Sequence, residues 1–293
     1  MPYFLTLLID GALAGAIYAL VALAFVLIYK ASSMMNFALG EWTVFGAMFT
    51  GAGLHALHQG PLVALGIASV AMIGLATGFY RLVVRHLVAR PALSAIMATL
   101  ALGMLMRGVS PLLFSGGQGL RPLVIDPIDL GGGVAIAADK LLAGTVAALC
   151  TALVAAFYRF SRTGVALRAI ADDQQVAPSV AINVDRHLLV VWGLAGLLSV
   201  VAGVLWTLVT GGGFSVALIG LKVIPIVILG GLDSIAGTVV AALVIGVIEA
   251  LASGYLDEQL GSGFGGLAPY LLLFAMLTLR PYGLFGQPRV ERV

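Results

Sequence analysis

Residues 161–187 read SRTGVALRAIADDQQVAPSVAINVDRH. The stretch carries Arg162, Arg168, Asp172, Asp173, Asp185 and Arg186, and what flanks it is almost wholly apolar. LLAGTVAALCTALVAAF precedes it at 141–157, and LLVVWGLAGLLSVVAGVLWTLV follows at 188–209. Each flank approaches the 20 or so apolar residues that a helix needs to cross hydrocarbon. The polar stretch therefore reads as a loop between two membrane crossings, and the side on which it lies orients the chain.

The rest of the composition agrees. Of 293 residues, 61% are hydrophobic and 10% charged, with a mean hydropathy of +1.12. A soluble domain is nearer half apolar and a quarter charged. Lipid tolerates only helices or closed barrels, and these apolar runs lack the alternation of barrel strands. The fold class is an all-α polytopic membrane protein, a single transmembrane domain over 1–293. The one cysteine, Cys150, excludes an internal disulfide and any multi-cysteine metal site. MPYFLTLLID has no positive n-region, so the first apolar segment reads as an uncleaved anchor.

Nine candidate crossings run over 5–29, 36–54, 62–82, 92–114, 140–160, 187–209, 214–230, 235–253 and 266–280. The second and seventh are short and interrupted by glycine, the signature of broken or re-entrant helices, so the expected number of spans is eight or nine. Apolar span, Gly-flanked break and short Gly-rich span recur at 11–53 and 193–232, which raises an inverted repeat. Residues 115–139, rich in Gly and Pro, predict turns or a short hairpin. Lys30, Arg81, Arg85, Arg90, Arg159, Arg162, Arg168, Arg186, Arg280, Arg289 and Arg292 all fall on one side of such a topology, against Arg121 and Lys140 on the other. By the positive-inside bias the N-terminus lies outside, and the C-terminus and the 161–187 loop lie in the cytoplasm.

Within that loop, Gly164 predicts a turn out of the membrane, a helix follows with Arg168 and Asp172 one turn apart, and Pro178 is expected to end it. A short amphipathic helix there either docks into a groove on a soluble partner or lies on lipid headgroups. Ionisable residues inside spans need a partner or water. Asn36 and Glu41 in MNFALGEW read as a helix cap or as part of a gate. Lys222 either snorkels or forms a buried pair with Glu41 or Glu249, and Pro225 favours a kink beside it. Arg107 reads as paired or snorkelling, and neither it nor Glu249 as a substrate ligand.

Several absences narrow the function. There is no GxxxxGK[ST], and only Lys30, Lys140 and Lys222 occur, so a P-loop is excluded. No GxSxG and no metal-spaced His/Cys cluster is present, and no catalytic residue is assigned.

Four motifs in order resemble those of one family. SRTGVALRAIADD with AINVDR is similar to the coupling segment SRTGxALRAIAxD…GINVxR of branched-chain amino-acid ABC importer permeases (the LivH type), with Ala181 in place of Gly and Pro178 as a departure. MNFALGE at 35–41 resembles INFAHGE, with Leu39 replacing His. GLKVIPIVILGGLDSIAG at 220–237 and LRPYGLFG at 279–286 resemble GLKAxxxxVLGGLGSIPG and LRPQGLFG. The resemblance implies a permease subunit in a bacterial cytoplasmic membrane, not itself an enzyme. Its substrate would be a branched-chain or related amino acid delivered by an external binding protein. Two cytoplasmic ATPases would hold the ATP and Mg, and a paralogous second permease, or a second copy, would complete the pathway. Arg162, Thr163, Gly164, Arg168, Asp172 and Asp173 would then couple to the ATPase, and Asn36, Glu41, Lys222 and Glu249 would line the gate or brace it. Membrane lipid is an expected partner and nucleic acid is not. The alternatives are an amide or urea permease of the same type, a secondary transporter or channel, and a membrane-embedded enzyme.

Overall fold

A computed structural model describes residues 2–87, 90–114, 120, 125–129, 131, 134–174, 176–212, 214–261, 263–280 and 283–286. Among the described residues six helices are long and apolar enough to cross a membrane: α1 (Pro2–Ser32), α3 (Pro61–Leu82, continued by a 3₁₀ turn to His86), α4 (Ala92–Leu113), α5 (Ala138–Phe160), α7 (Val184–Thr210) and α9 (Ile235–Leu260). Three are shorter: α2 (Leu39–His55), α8 (Phe214–Gly230) and α10 (Phe264–Leu279). A tenth, α6 (Arg162–Asp172), is the only amphipathic one among the described residues, burying Gly164, Leu167 and Ile170. Every predicted crossing is matched by a helix, and the chain is an all-α polytopic membrane protein. In the 115–139 connection, β1 (Ile128–Asp129) pairs antiparallel with β2 (Ala135–Ile136), the expected hairpin.

α1 is the axis. It is apolar on all sides, and 83% of its most apolar 18-residue window is buried, which is how a helix without a polar face must be placed. Around it stand α5, α7, α8 and α9. It meets α9 through small residues: Gly11 and Gly15 lie against the backbone at Gly246 and Ala242, the close approach that membrane interfaces favour. Gly74 and Gly78, at the same spacing, face open space.

The packing is reciprocal. α1 packs on α8 and α9, and α7 packs on α2 and α3. The same interlocking appears twice, with α2 and α8 as the short members, as two swapped copies of a repeat would give. Polar ties hold the two ends of the bundle. At the end carrying Lys30 and α6, called here the basic end, Tyr80 donates to Asp185 Oδ1 at 2.9 Å and Arg85 lies 3.3 Å from Asp185 Oδ2, joining α3 to α7. Lys30 donates to Asp233 O at 3.0 Å, and Leu284 N to Leu229 O at 2.8 Å, fastening the α8–α9 turn. At the opposite end Lys140 and Asp10, 2.5 Å apart, join α5 to α1.

Candidate functional site

Two places gather the polar residues of the membrane interior, and a third presents charge outside it. The first is fully paired. Lys222 and Glu249 form an ion pair between α8 and α9, each side chain 17% exposed. Tyr18 of α1 completes it: its hydroxyl donates to Glu249 Oε2 at 3.1 Å and accepts from Lys222 at 3.0 Å. The ammonium also lies 5.1 Å from the Tyr18 ring centroid and 6.0 Å from that of Trp206. Every charged atom therefore has a partner, the condition under which a low-dielectric site retains an ion pair. Snorkelling is overturned. Lys222 and Glu249 sit mid-way along α8 and α9, and the ammonium turns to Glu249 and Tyr18 rather than toward a boundary; a recess of about 350 Å³ lined by Tyr18, Trp206 and Glu249 runs from the pair to Asp10 and Lys140.

The second place is open. Chain 33–38 does not continue α1; after the exposed Ser33 it runs buried to half-buried under α4, with Phe37 N donating to Thr99 Oγ1 at 3.3 Å. α2 therefore starts inside the bundle, and its 17 residues reach only about 25 Å at 1.5 Å each. Asn36 is not the expected N-cap: Ala38 holds that position, and Asn36 Oδ1 instead accepts from Ala38 N at 3.0 Å. Asn36 is 1% exposed, and its Nδ2 has no hydrogen-bond partner. Glu41, in the first turn of α2, pairs with Arg107 of α4, whose Nε donates at 3.0 Å and whose Nη2 makes a second bond. Glu41 is 10% exposed and Arg107 62%.

α8 closes this place from the far side. Gly40 of α2 and Gly220 of α8 touch backbone to backbone; a Cβ on Gly220 would lie 2.5 Å from Gly40 Cα. The cavity beside that crossing holds about 250 Å³ and is lined by Leu100, Gly103 and Met104 of α4, Leu218 and Leu221 of α8, and the Glu41–Arg107 pair. It opens on an apolar face where Met104, Leu218 and Leu221 are exposed. A guanidinium directed at lipid tails costs roughly 2.5–3.5 kcal/mol on insertion scales. This face is therefore suited to protein or water rather than to hydrocarbon.

The third place is α6. Ser161 caps it, Oγ accepting from Gly164 N at 2.9 Å. Gly164 is helical, without a positive φ, so its expected role as a turn residue is corrected. Glycine is needed there because a Cβ would collide with the carbonyl oxygens of Tyr158 and Phe157. Arg168 does not project outward either: Nη1 donates to Tyr158 O at 2.9 Å and Arg159 O at 3.0 Å, capping α5 with a cation at its negative end. Pro178 does not end the helix; α6 stops at Asp172, and Pro178 opens a 3₁₀ turn over Ala177–Val180. That turn ends at Ala181, φ +61°, a left-handed conformation that explains the usual glycine. Thr163 is half-buried, while Arg162, Val165, Asp172, Asp173, Val176 and Val180 are exposed, a mixed apolar and charged surface. Asn183 caps α7, accepting from Arg186 N at 3.1 Å. The AINVDR motif thus fastens α7, with Asp185 held by α3.

Sequence reasoning brings Lys222 to Glu249 as one of two options. It missed that Glu41 belongs to Arg107, 66 residues away, and that Tyr18 joins the first pair; an isolated intramembrane arginine was the available signal. No group of acidic, His or Cys side chains suited to a metal occurs among the described residues.

Comparison with known proteins places these features. Residues 7–279 match the family described as branched-chain amino acid transport system / permease component. The chain is 27% identical to the high-affinity branched-chain amino acid transport system permease protein LivH of Salmonella typhimurium, over 99% of this chain and 98% of that one. It is 26% identical to BraD of Pseudomonas aeruginosa, a permease protein of the same description, over 99% and 98%. A probable branched-chain amino acid transport permease protein LivH of Methanocaldococcus jannaschii is 28% identical over 96% and 92%. Among solved structures, PsaBC from Streptococcus pneumoniae in complex with Fab aligns over 94% of this chain and 92% of that one at 14% identity, with a TM-score of 0.47.

Proposed function

The chain belongs to the branched-chain amino acid transport permease family, and from that premise we propose that it is the membrane subunit of an ATP-driven importer of branched-chain or related amino acids. In this reading it is a single permease domain in a bacterial cytoplasmic membrane, with its basic end and C-terminus in the cytoplasm and its N-terminus outside. Two ATPase subunits seat on α6, holding ATP and Mg themselves. An external binding protein delivers the substrate at the other end. A second permease, a paralogue or another copy, faces the open side of α2, α4 and α8 and completes the pathway.

The observation that carries the reading is how α6 is held. Ser161, Gly164 and Arg168 all lock it to the end of α5, while Arg162, Val165, Asp172 and Asp173 are presented outward. A helix braced to a span on one side and free on the other transmits a push; a helix lying on headgroups needs no such brace. Thr163 and Gly164 set its seat, and Asp172 and Asp173 offer charge to the partner. Asn36 and Glu41 belong to the pathway side, Lys222 and Glu249 to the frame. The cavity at Arg107 is mostly apolar, so high-affinity selection falls to the binding protein.

The test is reconstitution in liposomes with the partner permease, the ATPases and loaded binding protein. Uptake of leucine against its gradient should require ATP and the ATPase subunits. Accumulation driven by protons or sodium without them would overturn the reading in favour of a secondary transporter. Gly164→Val, which drives α6 off the end of α5, should abolish the stimulation of ATP hydrolysis by loaded binding protein while the spans still insert. Unchanged stimulation would remove α6 from the coupling route.

A further inference from the structure

We propose that the cleft between α1, α5 and α9 at the basic end binds one anionic phospholipid, its acyl chain in the cleft and its phosphate at the mouth. The cleft holds about 640 Å³. Its floor is Ala16 and Ala19 of α1; its walls are Ala148 and Ala152 of α5 and Val240 and Leu243 of α9. The floor is buried and the walls are exposed, so the cleft opens sideways. Within a bilayer an apolar recess of this size is filled by hydrocarbon.

The mouth selects the headgroup. Lys30, Arg159 and Arg168, from α1, α5 and α6, line the same end of the cleft. Their existing bonds leave donors over. Lys30 donates to Asp233 O and lies 5.5 Å from the Tyr158 ring centroid, and that hydrogen bond engages one of its three ammonium hydrogens. Arg168 uses Nη1 for the α5 carbonyls, and Arg159 lies 5.4 Å from the Phe160 ring centroid, its head exposed. No carboxylate is among the described residues lining the cleft, whereas three cations are; Asp172 ends α6 beside Tyr158, and Asp233 precedes α9.

A second observation points the same way. Thr151 Oγ1 and the Tyr158 hydroxyl belong to residues lining this cleft, each 7% exposed, and neither has a hydrogen-bond partner. A buried hydroxyl without a partner costs about 1–3 kcal/mol. Phosphate and ester oxygens are acceptors only, which is what two unpaired hydroxyl donors and a set of cations require. Tyr158 sits among the cations, and Thr151 two turns deeper along α5, the order in which a lipid presents phosphate and then ester. A neutral lipid would fill the recess but leave the cations unanswered. The site requires only that the chain spans a membrane and does not rest on the transport reading.

The test uses the full chain purified in detergent, exposed to equal amounts of dioleoylphosphatidylglycerol and dioleoylphosphatidylcholine, with retained lipid counted by native mass spectrometry. We expect phosphatidylglycerol to be retained in preference. Lys30→Gln and Arg159→Gln should each weaken that preference roughly fivefold, the equivalent of about 1 kcal/mol per cation. Ala152→Leu, which narrows the cleft from an exposed wall, should lower retention of both lipids. Unfolding midpoints of the variants in detergent check that each folds; should Lys30→Gln not fold, the exposed Arg159→Gln carries the test. Equal retention of the two lipids, or a preference that survives both substitutions, overturns the proposal. So does displacement of the lipid by millimolar inorganic phosphate, which marks a free-anion site. Cross-linking of Ala152→Cys, in a Cys150→Ala background, to another polypeptide in the assembled complex shows a protein occupant and likewise overturns it.

Discussion

Among the described residues, the membrane interior holds two carboxylate–cation pairs with the same chemistry and different surroundings. Glu249–Lys222 is enclosed by α1, α7, α8 and α9, with Tyr18 supplying the remaining hydrogen bonds. Glu41–Arg107 lies under the α2–α8 crossing with its guanidinium turned outward onto an apolar face. Removing one partner of the first strands a charge deep in the bundle, whereas the second already has access to whatever covers that face. The same type of contact is thus frame in one place and working surface in the other.

The largest expected effect breaks the first pair. Lys222→Met should cost about 3–5 kcal/mol by leaving Glu249 uncompensated, read as a fall in unfolding midpoint and folded yield. Adding Glu249→Gln should recover part of the loss, because a neutral pair needs no counter-charge. Normal stability with altered substrate preference would move Lys222 out of the frame and into the pathway. Next comes the contact that separates the two sites. Gly220→Val forces side-chain volume between α8 and α2 and should cost about 1–3 kcal/mol, with the loss reduced for Gly220→Ala; equal stability of both would show that α2 and α8 are not in backbone contact.

The open pair should cost less than the first: Arg107→Met leaves Glu41, 10% exposed, beside a cavity of about 250 Å³ that can admit water, so the loss should be about 1–3 kcal/mol, with the transport rate of the reconstituted system falling several-fold. A loss as large as that of Lys222→Met would erase the distinction between the two sites. A change remote from both pairs sets the scale. Ala181→Gly relaxes a left-handed residue and should raise the unfolding free energy by about 1 kcal/mol, with no effect on lipid or substrate handling.

How much of this was legible depended on distance along the chain. The nine apolar runs each became a helix because hydropathy is a local property. Lys222 could be assigned a carboxylate partner from its type alone, but the choice between Glu41 and Glu249 needed the α1–α8–α9 packing. Arg107 was visible as an anomaly, while its partner, across two turns of topology, was not. Gly164 was singled out correctly for the wrong reason: sequence suggests a backbone conformation, and the requirement is instead the space left by Tyr158 and Phe157. Asn36 likewise reads as a cap, because nothing local reveals that the chain before α2 dips under Thr99.

The central position of α1 has a consequence for biogenesis. The helix that the other elements surround is the first of them to leave the ribosome, and α7, α8 and α9, which cover much of it, are made late. Until they arrive, much of its surface must rest against lipid. That interval accounts for an apolar surface on every side and for the highest hydropathy of the six long helices, 2.5, shared with α7. Tyr18 is the polar group it carries to mid-membrane, and a phenol without its partner is far cheaper to hold in hydrocarbon than a charge. The two ionised members of that cluster come later and close together, on α8 and α9, so that neither waits long for the other. The order of synthesis thus matches the order in which the membrane can tolerate the groups.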